Sequence, residues 1–202
     1  MKEILSLFPT PVYVNDFNRD LTSKEKSYIK NLKKDIITNK GNTNTKNVYI
    51  LNEQALLNLN KDINFFIKDY FDTVIETTDK IFPYITQSWL NYTEQNGFHH
   101  LHNHPNSYVS GVLYLDVKKN DSITFYKNDN YDTFSLNRDR YNAFNSFSWT
   151  VPVKNNQILL FPSYLKHAVL NKDSSGTRIS LAFNTFIKGT FGAKYDMVEL
   201  KL

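Results

Sequence analysis

Five histidines occur in the chain, and four of them fall within one decapeptide, Phe98-His99-His100-Leu101-His102-Asn103-His104-Pro105-Asn106-Ser107. The fifth, His167, ends the segment Leu160-Phe161-Pro162-Ser163-Tyr164-Leu165-Lys166-His167, and Arg178 follows eleven residues later, next to Ile179-Ser180. Neutral imidazole is the commonest protein ligand for a transition metal. On an extended backbone, side chains two residues apart share a side. His102 and His104 can then chelate one ion while Asn103 points away, and His167 supplies the distant third ligand that a mononuclear site on a β-scaffold requires. The competing reading is a surface histidine cluster with His167 satisfied in the core. Of His99 and His100, one lines the pocket or hydrogen-bonds to a ligand and the other faces solvent; neither is assigned as a ligand.

Alternation along the strands sorts the other candidates. Over residues 108–116, Tyr108, Ser110, Val112 and Tyr114 lie on one face, and Val109, Gly111, Leu113 and Leu115 on the other. From residue 178 onward, Arg178, Ser180, Ala182 and Asn184 share a face; Ile179, Leu181 and Phe183 oppose them, and Phe186 falls out of phase after Thr185. The greasy faces suit packing under helices, and the small, polar faces suit a barrel interior. An arginine entering that interior is costly without an anion, and its planar fork matches a carboxylate. Arg178 and Ser180, with Tyr114 nearby, form a carboxylate clamp; the alternative is that Arg178 pairs with an internal Asp or Glu. Trp89 and Asn91 share a face and reach the substrate pocket together with His99 and Asn184, although a plain core role for Trp89 is equally consistent.

These residues need a frame. Residues 4–14 read as a strand with a turn at Pro9-Thr10-Pro11. A helix is predicted from Leu21 to about Thr38, capped by Thr22 or Ser23 with Glu25 in its first turn, and carrying Tyr28, Ile29, Leu32, Ile36 and Ile37 as its apolar stripe. Residues 40–45 read as a loop. A second helix, at about 53–79, carries apolar residues near the 3.6 period and needs a sheet face as partner. From residue 84 the pattern turns to eight short β-rich segments: 84–93, 97–101, 108–116, 122–126, 144–151, 157–161, 167–170 and 178–187, separated by turn residues. Residues 128–143 read as a loop over the site mouth, and the tail offers an edge strand at 197–200. The expectation is a mainly β chain with two N-terminal helices: a single domain in which a helical buttress (about 20–80) supports a jelly-roll core (about 84–188).

Composition narrows the function classes. At 202 residues, the chain can bury about 70% of the surface its unfolded form exposes. It has no cysteine, which excludes disulfides, Fe–S clusters, thiolate zinc sites and cysteine nucleophiles. The net charge of +4 is mild, and Lys24, Lys26, Lys30, Lys33 and Lys34 fit a solvated helix face better than a nucleic-acid patch. The N-terminal apolar run is too short for a signal peptide, and no window reaches the ~18 apolar residues of a membrane span. The expectation is a soluble, cytoplasmic protein with no membrane partner; substrate and oligomeric state are not legible.

The ordered motifs resemble those of the 2-oxoglutarate/Fe(II)-dependent oxygenase superfamily, and most of all a phage-type group within it. The resemblance runs through Leu7-Phe8-Pro9-Thr10-Pro11-Val12, Trp89-Leu90-Asn91, His102-Asn103-His104-Pro105-Asn106-Ser107, Ser110-Gly111-Val112-Leu113-Tyr114-Leu115, Phe161-Pro162-Ser163-Tyr164-Leu165-Lys166-His167 and Arg178-Ile179-Ser180-Leu181-Ala182-Phe183-Asn184. It implies a double-stranded β-helix with Fe(II) near its mouth and 2-oxoglutarate as co-substrate. His102 takes the first histidine position, His167 the distal one, Arg178 the position that binds the far carboxylate, and Tyr114 a supporting one. The family pattern is His-x-Asp/Glu, and this chain departs from it at His104. Either a third imidazole completes the triad, or His104 swings away and two protein ligands remain. Two other classes stay open: a cupin-like three-histidine metal protein, which leaves Arg178 unexplained, and a non-catalytic jelly-roll binding or virion module.

Overall fold

The computed structural model describes residues 1–128 and 136–202. In chain order its strands are β1 (Tyr13–Asp16), β2 (Ile36–Thr38), β3 (Thr43–Thr45), β4 (Lys80–Thr93), β5 (His99–His102), β6 (Val109–Asp116), β7 (Ser122–Tyr126), β8 (Ser148–Pro152), β9 (Gln157–Pro162), β10 (His167–Val169), β11 (Arg178–Phe191) and β12 (Leu200–Lys201). Helix α1 (Ser23–Leu32) lies between β1 and β2, and α2 (Leu57–Tyr70) between β3 and β4. The larger sheet runs β1-β9-β6-β11-β4-β3-β2, with β12 on β11; the smaller runs β5-β10-β7-β8. All pairings between these strands are antiparallel. This is a jelly roll with helices on the larger sheet, and each of the eight β-rich segments read from the sequence contains a strand, although the one expected at 144–151 begins only at Ser148.

The faces follow the alternation. Val109, Leu113, Leu181 and Phe183 join Leu59, Ile63, Phe66, Ile67 and Tyr70 of α2 in one core between helices and sheet. A second cluster, Tyr114, Ile123, Phe125, Leu159, Phe161 and Leu165, lies between the sheets. The register of β11 against β4 shifts between Asn184 and Thr185, where Thr86 is the extra residue on β4; Ile187, in phase with Leu181 and Phe183, continues the core face, and Phe186 does not.

Gly111 lies directly opposite Phe183 on β11 and Leu160 on β9. A Cβ there would stand 2.1 Å from Phe183 Cζ and 2.6 Å from Leu160 Cδ2. Overpacking of this kind costs about 3 kcal/mol, so Gly111→Ala is expected to lower the thermal midpoint by roughly 6–12 °C, as read by calorimetry.

Helix α1 begins as expected. Thr22 Oγ1 accepts from the Glu25 amide and the Glu25 carboxylate accepts from the Thr22 amide, a reciprocal capping box. It ends earlier than predicted. Ile36-Ile37-Thr38 is a β-branched run that prefers strand, and with β3 it forms a hairpin around Gly41, whose φ is +88°. Ile36 and Ile37 are therefore exposed strand residues instead of helix stripe members, and the expected loop at 40–45 is partly β3. The expected strand at 4–14 is confined to Tyr13 and beyond, and α2 is shorter than predicted, entered through a 3₁₀ turn (Ile50–Asn52) and left through a π turn (Phe71–Ile75). The tail strand falls at 200–201 instead of 197–200. Of the expected mouth loop, residues 129–135 lie outside the described residues. No helix among the described residues is long and apolar enough to cross a membrane.

Glu25 is 2% exposed and takes both Arg19 Nη atoms at 2.8 Å. Burial raises its pKa, but the Arg19 and Thr22 hydrogen bonds outweigh burial and hold it below the ordinary carboxylate value. A depressed folded-state pKa stabilises above the unfolded value of about 4.3, and that stability disappears as pH falls through the folded value. Glu25→Gln is expected to cost about 3 kcal/mol at pH 7. The gap between variant and wild type closes on acidification below about pH 4, as urea unfolding at the two pH values would show.

Candidate metal and anion site

His102 ends β5 and His167 opens β10, and the two are direct cross-strand partners. His104 lies two residues beyond β5, where its amide donates to Ser163 O at 3.0 Å. Ring centroids are 4.3 Å apart for His102 and His167, 5.0 Å for His102 and His104, and 5.2 Å for His104 and His167. One ligand nitrogen from each ring falls within 4.8 Å of the others. The histidines predicted to gather do so, and His104 faces the same point as the other two instead of swinging away.

The backbone fixes the tautomer of two of these rings. His102 Nδ1 is 2.7 Å from His100 O, and His167 Nδ1 is 3.0 Å from Leu165 O. A carbonyl only accepts, so each Nδ1 carries the proton and each Nε2 keeps its lone pair. Burial, reinforced by repulsion from neighbouring imidazoles, pushes the His167 pKa down to about 3 and that of His104 to about 4. Burial also lowers His102, against the opposing hydrogen bond to His100 O. All three rings are thus neutral near pH 7, the form that binds a cation. A set of three neutral nitrogen donors fits a borderline divalent transition metal better than magnesium or calcium.

Arg178 enters the same cleft from the start of β11 and is 3% exposed. Its Nη1 donates to Ser122 O at 2.8 Å, and its guanidinium lies 5.2 Å from the Tyr114 ring centroid. It has no carboxylate partner among the described residues, so the internal ion pair that sequence left open is not there. Tyr114 is fully buried, and its hydroxyl makes no hydrogen bond of ordinary geometry. Burial pushes its pKa up to about 12, while the nearby guanidinium opposes the rise. Ser180, buried, lies opposite Tyr114 on β6 and Asn91 on β4. A buried cation with spare donors beside an orphaned hydroxyl is a receptor suited to a carboxylate.

The cleft, with a cavity volume of about 40 Å³, is lined by residues of both sheets. Of the sequence-predicted pocket residues, Trp89, Asn91 and His99 line it. Trp89 Nε1 donates to Asn91 Oδ1 at 3.2 Å, and the Trp89 ring lies 5.9 Å from that of His104. His99 stacks on His102 with centroids 4.3 Å apart, and Asn39 Nδ2 reaches its Nε2 at 3.3 Å. Asn184, expected in the pocket, does not line it: its amide lies between Ser110 Oγ and His104 Nδ1. Sequence reasoning missed Thr93, Ile123 and Phe161 in the lining. Thr93 could have been found by extending the Trp89/Asn91 alternation by two residues; Phe161 and Ile123 carry no such signal.

Residues 87–184 match the family model described as "Putative 2OG-Fe(II) oxygenase". No curated protein matches the sequence. Among solved structures, the fold is similar to that of HygX from Streptomyces hygroscopicus with nickel, 2-oxoglutarate and hygromycin B bound, at 16% identity, a TM-score of 0.60 and coverage of 87% of this chain and 82% of that one. It is also similar to a Pseudomonas putida prolyl-4-hydroxylase, at 10% identity, a TM-score of 0.56 and coverage of 87% and 92%. The epimerase SnoN from nogalamycin biosynthesis gives 9% identity, a TM-score of 0.60 and coverage of 91% and 82%. The matched segment contains the three clustered histidines, Tyr114 and Arg178, and over it the chain is similar to the 2-oxoglutarate/Fe(II)-dependent oxygenase superfamily.

Proposed function

We propose that the protein is an Fe(II)- and 2-oxoglutarate-dependent dioxygenase in which His102, His104 and His167 hold the metal and Arg178, Tyr114 and Ser180 hold the far carboxylate of the co-substrate. The observation that carries this reading is a neutral three-imidazole cluster and a carboxylate-free buried arginine lining one cleft. Bound iron with 2-oxoglutarate supplies oxidative decarboxylation by dioxygen to succinate and carbon dioxide, coupled to oxidation of a substrate C–H bond. The chain's own work is placement. Arg178 fixes the end of the co-substrate that does not react, and the Tyr114 hydroxyl donates the hydrogen bond it otherwise lacks. Phe161, Ile123 and Val112 keep bulk water from the inner wall. Trp89, Asn91 and His99 form the side on which substrate is presented, and a substrate panel identifies it.

Anaerobic addition of 2-oxoglutarate to the Fe(II)-loaded protein tests this. The expected result is a weak visible charge-transfer band, followed in air by succinate release. Metal binding without the band favours the cupin-like reading, although that reading expects a further carboxylate ligand. No metal binding leaves a jelly-roll binding module.

A further inference from the structure

His102 and His167 have their protons fixed by backbone carbonyls. His104 does not: its Nδ1 faces the side chain of Asn184 at 3.5 Å. Which nitrogen of His104 carries the lone pair therefore depends on which way that amide is turned, and the amide is held by a chain of hydroxyls. Asn184 is 2.9 Å from Ser110 Oγ, Ser110 Oγ is 2.8 Å from Ser163 Oγ, and Ser163 Oγ is 2.7 Å from Ser107 Oγ. Ser107 Oγ in turn lies 3.1 Å from Thr185 O and 3.3 Å from Val109 O. Ser110 and Ser163 are buried and Ser107 is half-buried, so the two inner hydroxyls are closed to bulk water.

Each hydroxyl has one proton to give. The two carbonyls only accept, so the Ser107 proton points at them, and Ser163 must donate to Ser107. Ser110 must then donate to Ser163. With its proton committed, Ser110 can only accept from Asn184, so the amide nitrogen faces Ser110 and the amide oxygen faces His104. As placed, the oxygen faces Ser110; a half-turn about χ2 exchanges two atoms of nearly equal size. The opposite direction of the chain would leave Ser107 Oγ against two carbonyl oxygens with no hydrogen between them. With the oxygen facing it, His104 carries its proton on Nδ1 and keeps its lone pair on Nε2, as His102 and His167 do.

We propose that Asn184, oriented by Ser110, Ser163 and Ser107, is the positioning residue that holds His104 in its metal-binding tautomer. This rests on the three-imidazole reading of the site. It gives the imidazole that replaces the family's carboxylate a hydrogen-bonded partner, as a ligating histidine usually has.

The test uses the full-length, metal-free protein labelled with ¹⁵N in histidine. Long-range ¹H–¹⁵N spectra report which ring nitrogen is protonated, and His104→Gln assigns the His104 signals. The wild type is expected to show His104 protonated on Nδ1. Asn184→Asp retains that tautomer because a carboxylate accepts the same hydrogen bond, whereas Asn184→Leu loses it. Co(II), titrated optically, is expected to bind about 10- to 100-fold more weakly to Asn184→Leu and within a few-fold of wild type to Asn184→Asp. His104 protonated on Nε2 in the wild type, in a protein that binds Co(II), overturns the role of Asn184 alone. Failure of the wild type to bind Co(II), or binding that His102→Ala leaves unchanged, removes the metal site and this role with it, whatever the tautomer.

Discussion

Arg178→Met is expected to abolish 2-oxoglutarate binding while leaving the metal-free protein no less stable. The opposite signs follow from one observation: Arg178 is buried beside the Ser122 carbonyl and Tyr114, with no carboxylate partner among the described residues. Removing one partner of a buried, hydrogen-bonded charge pair costs about 2–5 kcal/mol of binding, or roughly 30- to several-thousand-fold in Kd. In the free protein the same guanidinium has lost most of its hydration, with no carboxylate in ion-pair range among the described residues. An apolar residue of similar length removes that burden, which outweighs the lost cation–π contact and the Ser122 hydrogen bond; replacing buried charges by packed apolar groups often stabilises by 1–4 kcal/mol. Calorimetry on the free chain is expected to show an unchanged or raised midpoint, and titration of 2-oxoglutarate onto the Co(II) form a lost association. A structural arginine would behave the other way, with the midpoint falling steeply. Arg178→Lys keeps the charge but not the fork, so an intermediate affinity is expected.

The same arginine shows how much the sequence revealed. Strand alternation placed Ser110, Tyr114, Arg178 and Ser180 on one face because the pleat period is strict and the opposite face is uniformly apolar. The histidine pairing was legible for a related reason: two histidines separated by Asn103, and a third after an apolar strand. The partner of Arg178 was not legible, since an absent carboxylate is a three-dimensional fact. The misplaced helix end has a different cause. Ile36 and Ile37 fit the helical period, but β-branching and the turn at Gly41 favoured the hairpin, and a single window carries both signals without ranking them. The hydroxyl chain is not legible because Ser107, just before β6, Ser110 within it and Ser163, just after β9, meet only through the β6–β9 pairing.

His102→Ala and His167→Ala are each expected to weaken metal binding by roughly 100-fold or more. Four-ligand structural zinc sites are worth about 10–16 kcal/mol, so one ligand accounts for roughly 3 kcal/mol, near 100-fold in Kd. The two substitutions should be close to equal, because these rings face each other across one β-bridge and each is held by the carbonyl two residues before it. His104 is different in kind. It stands just outside the strand, its ring is held by a side chain, and the family pattern has a carboxylate at this position. His104→Ala is expected to lose a comparable amount, whereas His104→Asp should recover most of it, since the carboxylate restores a donor and adds a negative charge to a site with none. That charge also favours the ferric state, so the Asp variant loaded with Fe(II) should oxidise in air faster than wild type, as followed by ferrous-iron chelation. Equal metal affinity for wild type and His104→Ala, with no change on His104→Asp, would falsify the three-imidazole site and leave His102 and His167 as a two-ligand pair.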